Sequence, residues 1–308
     1  MKKNVRIILL RTLGTGLILL SALAASADTS GSHYPFGTEG VLAATVPPPG
    51  FHFKSYNMFY HPTTYKDNDG DNADIGFDLN VFSSVERFVH VTNYKILGAD
   101  FFYNVIIPIV HKELDIDASG LSDSQGPALG DINFELLGLA WHRSRFDAVA
   151  AMAVIAPTGE YDADKPASPG LGYWSGMLSL GGTAYFDAAK TWSISALSRT
   201  LVSTEQKDTN ITPGAEFVVE WGLGKEIPVT NKLSVRPGIS GCNYWQINDD
   251  SGKDSNDNRK QGHAIGGEIN FFWLPPTLLQ LNLRILREYG VENGPEGSQF
   301  VFTLTKSW

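Results

Sequence analysis

From residue 51 to the C-terminus, apolar and polar side chains alternate in short runs. In 277-TLLQLNLRIL-286, Leu279, Leu281, Leu283 and Ile285 occupy every second position, with Gln280, Asn282 and Arg284 between them. Successive side chains of a strand point to opposite faces, so each such run has one apolar and one polar face. The same period marks 214-GAEFVVEWGL-223, 233-LSVRPGISGC-242, 264-AIGGEINFFW-273 and the last residues, 297-GSQFVFTLTKSW-308. Twelve strands are predicted, at about 51–60, 75–92, 97–110, 130–142, 146–156, 173–187, 190–203, 212–225, 231–246, 261–273, 277–289 and 297–308. Their links alternate in length. Long ones rich in Asp, Asn, Ser and Gly follow the odd strands, as in 61-HPTTYKDNDGDNAD-74, and short ones such as 143-RSR-145 follow the even strands.

An even number of antiparallel strands, with turns at one end and long polar loops at the other, predicts an all-β protein, a closed antiparallel transmembrane β-barrel. Closure leaves no strand edge unpaired, as a hydrocarbon surround requires. A soluble periplasmic sandwich alternates in the same way, and the ordering of the connections argues against it. In the barrel reading Phe217, Trp221, Trp273, Phe300, Phe302 and Trp308 are anchors at the lipid face and its interfaces, where aromatic rings partition well. The terminal aromatic, with apolar residues alternating before it, also resembles the mark read by the outer-membrane insertion machinery. Lys306 departs from that pattern, but a lysine at the interface can snorkel.

The opposite faces of the later strands carry Glu216, Glu220, Arg236, Glu268, Asn270, Gln280, Asn282 and Arg284, which are expected to line the lumen. They form either a polar path or an ion-pair network that stabilises the wall. Both charge signs are present, so a strongly ion-selective pore is not indicated. In 101-FFYNVIIPIV-110 and 146-FDAVAAMAVI-155 both faces are largely apolar, which gives a greasy half-lumen beside a polar one. Barrels of about eight strands fill with side chains, and those of about 16 to 18 hold an aqueous channel, so about twelve imply a narrow passage.

The N-terminus places the chain. Lys2, Lys3, Arg6 and Arg11 precede an apolar run from Leu13 to Leu23, and Ala25-Ser26-Ala27 supplies small residues for cleavage, so residues 1–27 read as a secretory signal peptide. The run is about half the ~20 residues that span a bilayer as a helix. Removing this segment, with four basic and no acidic side chains, takes the formal charge from -9 to -13, which makes nucleic acid a poor partner. A single cysteine, Cys242, excludes an internal disulfide. Residues 28–50 form a leader or plug ending in the stiff Pro47-Pro48-Pro49, and 51–308 form the barrel.

Chemistry-bearing motifs are sparse. There is no G-x-S-x-G or H-E-x-x-H, and the seven histidines are scattered without metal-ligand spacing. A Ser/His arrangement assembled only in space stays open. Asp67, Asp69 and Asp71 invite a calcium reading, but the sixth position of that loop is Asn72 where an EF-hand needs glycine. No metal, cofactor or catalytic residue is expected.

Several blocks, 39-EGVLAATVPPPGF-51, 130-GDINFELLGLAW-141, 157-PTGEY-161, 213-PGAEFVVEWGLG-224 and 244-YWQINDD-250, resemble the outer-membrane family named for a MetA pathway of phenol degradation, from about Glu39 to Trp308. That family is similar in role to FadL-like transporters. The resemblance implies an outer-membrane barrel of a Gram-negative cell that admits hydrophobic or aromatic compounds, and it supplies no residue-level site. The expected function is passive uptake of small hydrophobic solutes, with membrane lipid and lipopolysaccharide as surroundings. A barrel with a closed lumen and an outer-membrane hydrolase are the rivals.

Overall fold

The computed structural model describes residues 31–308 apart from 254, 256 and 257, so the signal peptide lies outside the described residues. The described chain is strand and turn throughout, with no helix among the described residues. Twelve strands make the wall: β1 Gly50–Lys66, β2 Phe77–Ile96, β3 Ala99–Ile116, β4 Ile132–His142, β5 Phe146–Ala156, β6 Ser175–Tyr185, β7 Trp192–Ser203, β8 Glu216–Lys225, β9 Leu233–Gln246, β10 Gln261–Trp273, β11 Leu279–Glu292 and β12 Gly294–Ser307. Each pairs antiparallel with the next. β12 returns to β1, with Phe300 opposite Phe59 and Ser307 opposite His52, and closes the ring.

The alternation is realised. Outward positions of β11 and β12 hold Leu281, Leu283, Ile285, Phe300, Phe302 and Leu304, while Asn282, Arg284, Val301 and Thr303 between them are buried. Val301, 0% exposed, packs inside with Tyr56 and Met58. An apolar side chain is therefore tolerated on the face that the pattern marks as polar, because the interior is packed rather than flooded.

Departures occur at the loop end. β1 and β3 run several residues beyond their predicted limits there, β2 begins two residues later than predicted and extends instead at the turn end to Ile96, and the extra strand Leu121–Leu129 pairs with the outer part of β3. Ile75, Phe77 and Ile116 form a small apolar cluster there, with Tyr65, Leu114 and Leu121 against it, so the protrusion carries its own core. The link between β11 and β12, expected to be long, is the single residue Asn293, held at φ 51. Those two strands pair only as far as Arg287 opposite Ser298 and diverge beyond it, β11 continuing along β10 and β12 along β1. A single-residue link suffices because the strand ends above it part from each other.

The core lies inside the ring. Ala44 packs with Val89, Val91, Phe102, Val149 and Leu197, and Tyr34 packs with Ile155, Met177, Leu201, Val218 and Tyr244. Both Ala44 and Tyr34 belong to the segment preceding β1. The two-sided apolar character of β3 and β5 thus has a local cause: lipid faces one side of these strands and the N-terminal segment covers the other.

Candidate functional site: the lumen and the segment within it

Residues 31–49 run through the ring from one end to the other. Gly31 accepts a hydrogen bond from the Tyr173 hydroxyl at the loop end, and Pro48 at the turn end accepts one from His52. The segment has no ladder partner, and although Ala43 and Thr45 donate their N–H groups to Gly40 and Leu42 in local turns, its other buried backbone groups need side chains of the wall. Glu220 accepts from the Glu39 N–H at 3.0 Å, Glu268 from the Val41 N–H at 3.1 Å, and Ser195 from the Ala44 N–H at 3.0 Å. Arg284 donates to the carbonyls of Gly37 at 2.9 Å and Thr38 at 2.8 Å. Close approach is built into the wall. A Cβ on Gly222 would stand 2.7 Å from the Val41 nitrogen, so only glycine at that position lets the segment reach β8.

Charge is matched within this interior. Glu39 of the segment accepts from Arg87 at 3.2 Å, Lys54 at 3.3 Å and the Tyr56 hydroxyl at 3.0 Å. Arg87 also reaches Glu135 at 3.2 Å. Arg199 donates to Glu220 at 2.9 Å and to the Tyr34 hydroxyl at 2.7 Å, with its guanidinium 4.1 Å from the centre of the Tyr34 ring. Arg284 binds Glu268 through Nε at 2.7 Å. Four carboxylates thus face four cations. Buried charges persist only when paired and hydrogen-bonded, and this network meets both conditions.

All eight positions expected to face the lumen lie on the inward side. Glu220, Glu268, Asn270, Asn282 and Arg284 are buried. Glu216, Arg236 and Gln280 are half-buried: Glu216 accepts from Ser32 and Tyr244, Arg236 pairs with Glu226 of the adjoining turn, and Gln280 donates to Asn270. Of the six aromatic positions, Phe217, Trp221, Trp273 and Phe302 are half-buried on the outer side. Phe300 is more open, and Trp308, 68% exposed at the turn end, donates its backbone N–H to the carbonyl of Phe51 and borders the interior cavity. Trp221 donates to Asn243 at 3.2 Å, within an outer group that includes His263 and Tyr289. Lys306 bends to the carbonyl of Thr277 at 2.6 Å and stays near the Trp308 ring.

Sequence reasoning missed Tyr34, Glu39, Lys54, Arg87, Glu135 and Arg199. Lys54, Arg87 and Arg199 stand at inward positions of apolar-flanked strands, and that alternation was the available sign. Glu39 and Tyr34 precede the barrel and carried none.

One cluster has the distances of a catalytic triad. His33 Nδ1 lies 2.7 Å from Ser175 Oγ, and His33 Nε2 lies 2.9 Å from Asp131 Oδ2. Asp131 also accepts the N–H groups of Gly159 and Leu171, and Ser175 Oγ is 2.8 Å from Ser203 Oγ. Ser175 is only 2% exposed, and the His33 and Asp131 side chains are each 3% exposed. A nucleophile needs access to a carbonyl carbon and room for the tetrahedral intermediate. This trio has neither, and its geometry instead fastens residue 33 of the segment to β6 and to the start of β4.

Two cavities flank the segment. The larger, of about 470 Å³, opens at the turn end; Val89, Phe102 and Leu197 face it from one wall, and Asn270, Gln280 and Thr305 face it from the other. The smaller, of about 210 Å³, lies at the loop end beside the diverging ends of β11 and β12, among Phe36, Met58, Val81, Tyr244 and Val291, with Glu288 and Tyr60 as its polar edge.

A closed ring of twelve strands, apolar outside and packed with paired polar groups inside, defines a transmembrane β-barrel of the outer-membrane type. Residues 64–304 match the family described as "Putative MetA-pathway of phenol degradation", and the chain belongs to that family. Among solved structures it is similar to the COG4313 outer membrane channel from Pseudomonas putida F1, with a TM-score of 0.74 at 16% identity over 90% of this chain and 100% of that one. The β domain of the Bordetella autotransporter BrkA follows at TM-score 0.53 and 9% identity, over 84% of this chain and 100% of that one. At these identities the likeness is one of fold. No curated protein sequence matches the chain.

Proposed function

We propose that the protein is a channel of the Gram-negative outer membrane for passive entry of small hydrophobic or aromatic compounds, with residues 31–49 as a plug that sets what passes. The observation that carries this reading is the two-sided interior. On one side of the 470 Å³ cavity Val89, Phe102, Val149 and Leu197 form an apolar patch, with Arg87 and Arg199 of the same wall beside it, on the other side β10 to β12 present mainly polar groups, and the segment lies between them. A solute with an apolar ring and one polar substituent can satisfy both walls at once. A hydrated ion finds the interior charges already paired and gains little from them. The family match and the similarity to the COG4313 channel fold support the same reading.

In this scheme Glu216, Glu220, Arg236, Glu268, Asn270, Gln280, Asn282 and Arg284 line the passage or hold the plug. Phe217, Trp221, Trp273, Phe300, Phe302 and Trp308 seat the barrel in lipid, bounded by lipopolysaccharide outside. Short turns of such barrels face the periplasm, so the larger cavity opens inward and the 210 Å³ pocket is the outer station. The test is uptake of labelled toluene or phenol by cells with and without the gene. Faster uptake with the gene is expected, and equal rates would sink the proposal. That second result would favour a closed-lumen surface barrel, for which the segment's full-height course through the ring already speaks.

A further inference from the structure

One interior carboxyl stands outside the paired network. Glu288, near the loop end of β11, is 4% exposed and borders the 210 Å³ pocket. Its Oε2 accepts from the Tyr60 hydroxyl at 2.8 Å and from the Gly297 N–H at 2.6 Å. Oε1 accepts no hydrogen bond, yet it is not sealed off, so it is open to the pocket. Among the described residues no cation pairs with this carboxyl. Arg287 turns outward to Ser298 at 3.2 Å, and Lys66 lies 3.9 Å from Glu296. Lys260, the cation of the pocket lining, offsets the charge of Glu216. Glu292 adds a second carboxylate to the lining, held by the Gln261 amide at 2.7 Å.

The remaining wall suits the body of an organic cation. Phe36 of the segment, Tyr60 and Tyr65 of β1 and Tyr244 of β9 border the pocket, and the Phe36 and Tyr244 rings are stacked with centres 5.8 Å apart. Aromatic faces attract cations, more strongly where water is excluded. A buried carboxylate without a counter-charge is costly, and an intramembrane ionisable group usually has a functional partner. Calcium takes about six to eight oxygen ligands, which a pocket walled largely by rings does not supply. At about 210 Å³ the pocket falls below the roughly 300 to 1,000 Å³ of drug-sized sites, so its ligand is small.

We infer that this pocket binds small organic ammonium ions that carry an aromatic ring. The ammonium N–H groups donate to Glu288 Oε1, and the ring lies against Phe36 and Tyr244. Binding rests on the pocket alone, whereas onward passage of the cation rests on the channel reading. Equilibrium binding therefore separates the two.

The test is isothermal titration calorimetry of the purified full chain in detergent micelles, with empty micelles as the blank. The probes are benzylammonium and benzyl alcohol, its neutral counterpart of similar shape. Wild-type protein is expected to bind benzylammonium about tenfold more tightly than benzyl alcohol, the scale of a hydrogen bond to a charged group. Glu288→Gln keeps an acceptor for Tyr60 and Gly297 but removes the charge. It is expected to bring the two probes to equal affinity while the barrel keeps its heat-modifiable mobility in gels. Phe36→Leu changes the segment rather than the wall and is expected to weaken benzylammonium binding. Failure of the wild type to bind benzylammonium, equal affinities in the wild type, or a preference that survives Glu288→Gln would each overturn the inference. If Glu288→Gln fails to fold, unchanged benzylammonium affinity in Phe36→Leu would do the same. Loss of toluene or phenol uptake bears only on the channel reading.

Discussion

Glu39 Oε1 accepts a hydrogen bond from Arg87 Nη1 at 3.2 Å, joining the N-terminal segment to a wall strand 48 residues further along the chain. Lys54 and Tyr56 complete the grip on the same carboxylate. The contact matters because it is charged, buried and made by the segment's own side chain.

Glu39→Ala removes the partner of Arg87 and Lys54 and leaves buried cations short of an anion, which typically costs about 3 to 5 kcal/mol. Most of that cost falls on the seated state of the segment, since Arg87 keeps Glu135. Single-channel recording in planar bilayers is expected to show larger or more frequent conductance than in the wild type. Unchanged conductance would mean that the segment is held by its packed apolar residues alone.

For Arg284 and Glu268 the prediction concerns a pair. Arg284→Met strips the carbonyls of Gly37 and Thr38 of their donor and isolates Glu268, so a large drop in the gel-monitored unfolding temperature is expected. Arg284→Met with Glu268→Leu is expected to recover part of that loss, because no unpaired charge remains. Additive losses would argue against coupling.

Ser175→Ala tests the triad-like cluster. Turnover of short-chain nitrophenyl esters by purified wild-type protein is expected to stay at background and to be unaffected by the substitution. His33→Ala, by contrast, is expected to make the segment near residue 33 accessible to added protease. Ester turnover that disappears in Ser175→Ala would reverse the assignment.

Asp187, in the turn between β6 and β7, supplies a pH dependence. The backbone N–H of Thr191, then that of Trp192, then the Thr191 hydroxyl hold its carboxyl down to about 2. A folded-state value below the unfolded one, about 3.9, favours the folded state above that unfolded value. The contribution is lost as pH falls toward the folded value. Asp187→Asn is therefore expected to lower stability relative to wild type at neutral pH, with the difference closing between about pH 4 and pH 2. A gap that persists at pH 2 in acid-unfolding curves would contradict this.

Much of the barrel was legible along the chain. Leu279 to Ile285 and Phe300 to Leu304 show their lipid face through period two alone, and the eight inward positions followed by the same rule. The long loop-end extensions did not, since Asp, Ser and Gly there read as loop until Leu121–Leu129 pairs with β3. Nor did the brevity of the turn at Asn293, because 290-GVENGPE-296, with two glycines, a proline and three polar residues, reads as a loop.

Alternation fixes which side of a strand each residue takes, because adjacent side chains of an extended chain must diverge. Inside and outside were therefore settled locally, and with them the all-β class. What fills the ring was not local. Tyr34, Glu39 and Val41 find Arg199, Arg87 and Gly222 only after closure brings remote strands around one axis. Hydrogen bonds and ion pairs depend on positions in space to within a fraction of an ångström, and spacing along a chain carries no such information.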